Sequence, residues 1–136
     1  QCFTNSIQQK VRTGPLQETQ GLLFSCVANS TSPGGYQLAF HPGQGERAKL
    51  FRVSGNSVTE IPATISPIRF ASNSDHSFVW SRTTDGDITF TVDGQRLLFA
   101  ANTNSSPKKF DTLTITHLGK QVTFTKIQLK DTSDIR

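Results

Sequence analysis

The side chains able to do chemistry are few. His41, His76 and His117 show no spacing that a zinc site would use. Asp85, Asp87 and Asp93 cluster near one Asp93-Gly94 pair, where secreted sandwiches sometimes hold calcium. Asp-Gly is also ordinary turn chemistry, so no metal and no cofactor is expected. Ser54, a histidine and an aspartate could form a triad on paper, but no Gly-x-Ser-x-Gly elbow accompanies them. No carboxylate pair stands out for acid–base work either, and the chain is read as non-catalytic. The remaining polar candidates each have a plain alternative. His41, between Phe40 and Pro42-Gly43, is a ligand contact or a loop-edge residue. Asn56 follows Gly55 and suits a turn. Glu60 orients Arg47 or Arg52 across neighbouring strands, or is a solvated edge charge. Trp80 shares a face with Phe78 and reads as core rather than as a stacking platform.

The elements that must position these residues are strands. "GLLFSCV" (residues 21–27) is strongly apolar, and Tyr36, Leu38 and Phe40 alternate with Gln37 and Ala39. "AKLFRV" (48–53) is closed by Ser54-Gly55-Asn56, and "HSFVWSR" (76–82) follows later. Ile88, Phe90 and Val92 lead into Asp93-Gly94, the strongest short hairpin signal because both residues tolerate positive φ, and "RLLFA" (96–100) returns. The six prolines fall between these runs or at their edges. Strand signals recur every 8–12 residues, the spacing of a sandwich or barrel, and helix signals are nearly absent. The reading is a single all-β sandwich domain spanning 1–136.

In the closing stretch "KKFDTLTITHLGKQVTFTKIQL", Val122 and Phe124 keep step. Lys126 then takes an inward position, and Ile127 and Leu129 resume one residue late. A β-bulge near Thr125-Lys126 would absorb the slip. This ending resembles the last third of a galectin carbohydrate-recognition domain. "DITFTVDGQRLLFAANTNSSPKKFDTLTI" is similar to the galectin run of strand, Asn/Asp-Gly turn, return strand and "IDTLEI"-type strand. "VTFTKIQL" is similar to its closing strand, slip included, and residues 21–57 follow collinearly. Laminin-G-like modules share the "VDG" hairpin, and farnesoic-acid-methyltransferase-like domains share the "FVWSRTTDGDITF" layout. The implied fold is a jelly-roll β-sandwich of two antiparallel sheets.

The family's sugar motif is largely missing. Galectins carry His-x-Asn-Pro-Arg, then an Asn, then Trp-x-x-Glu-x-Arg. In "AFHPG", Pro42 matches, while Ala39, His41 and Gly43 replace His, Asn and Arg. Asn56 matches the second-strand Asn and Glu60 the Glu, but Ser57 and Pro62 stand for Trp and Arg. The resemblance implies a lectin-like carbohydrate-binding module with non-standard specificity and a glycan or glycoprotein ligand. Its contacts would come from His41, Arg47, Asn56 and Glu60. The alternative is a protein-interaction or structural module that keeps the fold and has lost the sugar, with homo-oligomerisation through sheet edges open to either.

Composition bounds the setting. Hydrophobic residues make up 34% and ten Phe stand against one Trp, one Tyr and no Met, so a Phe-dominated core is expected. No apolar run approaches the ~20 residues that span a bilayer. The net charge is +4, but Lys108-Lys109 is the only adjacent basic pair, and aromatics are not interleaved with cations as a base-stacking surface needs. Nucleic acid is not expected, and a weak preference for anionic or sulfated glycans fits the charge. The sequence starts Gln1-Cys2 with no initiator Met and no apolar leader, as expected if a signal peptide has been removed or the chain was cut to the mature start. Cys2 and Cys26 could pair, adding ~3 kcal/mol in the chain-entropy picture. Asn29 and Asn104 head glycosylation sequons. Together these favour a secreted disulfide-bonded glycoprotein over a cytosolic domain with two buried thiols.

Overall fold

The computed structural model describes residues 7–17, 20–27, 34–43, 47–83, 86–101, 112–118 and 122–131. The described secondary structure is all strand: β1 (Ile7–Leu16), β2 (Gly21–Val27), β3 (Gly34–Phe40), β4 (Ala48–Ser54), β5 (Ser57–Ile61), β6 (Thr64–Ile65), β7 (Ser74–Arg82), β8 (Ile88–Val92), β9 (Gln95–Ala100), β10 (Thr112–Leu118) and β11 (Phe124–Asp131). They form two antiparallel sheets, one ordered β11-β1-β7-β8-β9-β6 and the other β10-β2-β3-β4-β5. The jelly-roll sandwich expected from the sequence is the observed fold.

Alternation decides which side chains enter the space between the sheets. Leu22, Phe24 and Cys26 on β2 and Tyr36, Leu38 and Phe40 on β3 are fully buried. From the opposite sheet come Phe78 and Trp80 on β7 and Ile88, Phe90 and Val92 on β8. Trp80 is therefore core, as its shared face with Phe78 indicated. Phe24 touches three rings of the other sheet, with centroids 6.1 Å from Phe78, 6.2 Å from Trp80 and 5.5 Å from Phe90. Such tilted pairs contribute about 0.5–1.5 kcal/mol each beyond simple burial.

Turn chemistry matches the hairpins. Asp93 and Gly94 have φ of 52° and 81°, the pair of positive values that a two-residue type I′ turn demands. Gly55 (φ 59°) precedes Asn56 in the β4–β5 turn, the glycine-first arrangement of type II′. At Gly35 a methyl would sit 2.1 Å from the Cys26 carbonyl, so only glycine lets β2 and β3 pair there. In β11, Lys126 pairs with Arg12 and Phe124 with Thr13, which leaves Thr125 as the extra residue of a bulge where the slip indicated.

After β5 the chain does not extend the five-stranded sheet. β6 pairs instead with β9 of the other sheet. Residues 66–73 then run as an irregular strap to β7. Ser66 N donates to Leu97 O (2.8 Å) and Asn73 N to Leu16 O (3.0 Å). The Gln95 amide accepts from Arg69 N and donates to Arg69 O, both at 3.0 Å.

Candidate functional site

Residues opposite one another in an antiparallel ladder project to the same side. The register therefore builds a transverse row on the solvent face of the five-stranded sheet: Thr114, Ser25, Gln37, Phe51 and Glu60. Four strand spacings make it about 19 Å long. Phe51, Gln37 and Ser25 are half-buried, while Thr114 and Glu60 are exposed. An apolar ring is thus flanked by an amide that donates and accepts and by a carboxylate that accepts from two hydroxyls. Beside this row lie Leu23, Ala39 and Lys49.

The four sequence-nominated residues do not converge. Glu60 belongs to the row. Asn56 is exposed in the β4–β5 turn at one end of the sheet. His41 and Arg47 are brought together at the other end, about 20 Å away along β4, where His41 N donates to Arg47 O (2.7 Å). The His41 ring lies against Gly21, whose added methyl would come within 2.7 Å of it. Arg47 Nη1 donates to Ile68 O (2.7 Å), holding the strap. Phe51 and Gln37 were not singled out from sequence. The alternation of "AKLFRV" carried the signal, since with Ala48 and Leu50 inward, Lys49 and Phe51 must point out.

A second constellation lies at the β8–β9 turn. His76, buried on β7, places Nδ1 2.6 Å from Asp93 Oδ2 and Nε2 2.7 Å from Ala71 O. Its ring stacks on Phe70 at 4.1 Å. Asp93 Oδ1 also accepts from Ser77 N (2.8 Å). A histidine beside a carboxylate is a familiar catalytic pairing. Here both ring nitrogens are committed, and no nitrogen is left to take a proton from a nucleophile. The pair fastens the strap. Among the described residues no group of three or more His, Cys, Asp or Glu could hold a metal.

Cys26 is fully buried, and no described cysteine is a free thiol. Cys2, Asn29 and Asn104 lie outside the described residues. No described helix is long and apolar enough to cross a membrane.

No protein-family model and no curated protein matches the sequence. Solved structures do match the fold. Sheep galectin-11 in complex with glycerol superposes with a TM-score of 0.71 at 9% identity, covering 95% of this chain and 92% of the other. Galectin LEC-6 of Caenorhabditis elegans gives 0.62 at 14% identity, covering 96% and 86%. Congerin II, liganded with lactose and MES, gives 0.60 at 11% identity, covering 95% and 93%. The chain has a galectin-like fold.

Proposed function

We propose that the domain is a non-catalytic lectin-like module that binds glycans across the solvent face of the five-stranded sheet. One observation carries the reading: Phe51 stands between Gln37 and Glu60 in a continuous polar row. The aromatic face meets the C–H face of a sugar, and the flanking groups take its hydroxyls. Glycerol- and lactose-liganded galectins of the same fold support it. His41, Arg47 and Asn56 serve as outer contacts at the two ends of the sheet.

The test is a glycan array on the intact chain. Defined glycans should be retained, and Phe51→Ala and Gln37→Ala should each remove retention. Lactose resin should hold the protein weakly, because the motif's indole and both arginines are absent. Two lost charge-assisted hydrogen bonds alone amount to about 3–6 kcal/mol, or roughly two to four decades of affinity. An array blank for every glycan would sink the reading. The second reading, a protein-interaction module, is favoured by β5, an edge strand whose residues 57–60 are all exposed and open to an added strand.

The setting proposed with this function is extracellular, with Cys26 linked to Cys2 and the Asn29 and Asn104 sequons glycosylated. Non-reducing peptide mapping should recover the Cys2–Cys26 crosslinked peptide. Recovery of both cysteines alkylated without reduction would remove the main support for secretion.

A further inference from the structure

The six-stranded sheet turns a different surface to solvent. Lys10 and Arg12 of β1, Ser77 and Val79 of β7, and Lys126 and Gln128 of β11 line one groove of about 290 Å³. All three of its charged residues are cations. Among the described residues none of them is paired with a carboxylate. Asp75 and Asp93 line only the adjoining cleft, which shares Arg12 and Ser77 with the groove.

The bulge in β11 creates this arrangement. Strict alternation from Phe124, which packs toward the core, would turn Lys126 inward as well. The extra Thr125 sets Lys126 directly opposite Arg12 and turns it to the solvent side, with Gln128 opposite Lys10. Like charges facing each other across a ladder destabilise a sheet. The fold therefore carries a local electrostatic cost that an anion would remove.

The geometry points to an anion-binding surface on β11-β1-β7 whose ligand is a linear sulfated polysaccharide. Successive sulfates meet Lys10, Arg12 and Lys126, and the Ser77 hydroxyl and Gln128 amide donate to the same oxygens. Nucleic acid fits less well. No aromatic ring lines the groove to stack a base. Phe99 on β9 is covered by Arg96, whose guanidinium lies 4.9 Å from the ring centroid. A sheet surface also offers no helix to read a duplex groove. The surface lies on the opposite sheet from the Phe51 row, so it is independent of the proposed glycan site.

The test titrates the intact chain with a size-defined heparin oligosaccharide and with its desulfated counterpart of equal length. Only the sulfated form should bind. Lys10→Ser, Arg12→Ser and Lys126→Ser should each weaken binding about tenfold, with the triple variant inert. Each removed cation should lower the slope of log K against log salt by about one. Lys126→Ser should also raise the thermal midpoint of the free protein, because it relieves the Arg12–Lys126 repulsion. Equal binding of the desulfated oligosaccharide, or an unaltered triple variant, would overturn the assignment. So would tighter binding of single-stranded DNA or of anionic lipid vesicles at matched charge.

Discussion

Phe24→Ala should lower the unfolding free energy by about 3–5 kcal/mol, the range for truncating a buried aromatic ring. That is a large share of the 5–15 kcal/mol that roughly separates folded from unfolded domains. Phe24 is 1% exposed and sits on the five-stranded sheet, yet its ring packs against three rings of the other sheet. Its removal opens a cavity where the two sheets are locked together. Chemical denaturation followed by Trp80 fluorescence would measure the change. Trp80 is a direct neighbour, so far-UV circular dichroism should trace the same transition. A loss below about 1 kcal/mol would mean that the sheets repack around the gap, contrary to the close packing of native cores.

His76→Ala should cost about 2–4 kcal/mol, for a different reason. The imidazole joins three pieces of chain: β7, the strap through Ala71 O, and the β8–β9 turn through Asp93. Its removal leaves the Ala71 carbonyl without that donor and strips Phe70 of its stacked partner. Each buried hydrogen bond lost with one partner left behind costs about 1–3 kcal/mol. The Asp93 side chain is 33% exposed and Ala71 is exposed too, so water can replace part of both lost contacts and keeps the cost below two full losses. Native-state hydrogen exchange should show faster exchange at Ser77, whose amide donates to Asp93, and at Asn73 in the strap. Unchanged exchange at both amides would show that the strap is held without the histidine.

Local patterns in the sequence determined much of this protein. Alternation placed β3, β7 and β8, and short apolar runs bounded by turn residues placed β2, β4 and β9, because a strand buried on one face must alternate and one between turns stays short. Asp93-Gly94 announced its hairpin, since few residue pairs accept two positive φ values. The one-residue slip at Lys126 announced the bulge. By contrast β1, "IQQKVRTGPL", was not read as a strand, although it lies between β11 and β7. Among its described side chains the solvent face carries Lys10 and Arg12 and the core face Val11, Thr13 and Leu16, too little contrast for a periodic signal.

Only the tertiary structure decided which polar residues meet. Asn56 and Glu60 are close in sequence to each other and to Arg47, but a strand carries its ends about 20 Å apart, so sequence proximity along β4 becomes spatial separation. Cross-strand register does the reverse. It sets Ser25, Gln37, Phe51, Glu60 and Thr114 in one row although they are scattered along the chain. It likewise gathers Lys10, Arg12 and Lys126, which are distributed singly in the sequence, into one cationic groove. Strand formation is local and leaves its mark in spacing. Ladder register is non-local, set by core packing and turn geometry, and no single segment carries it.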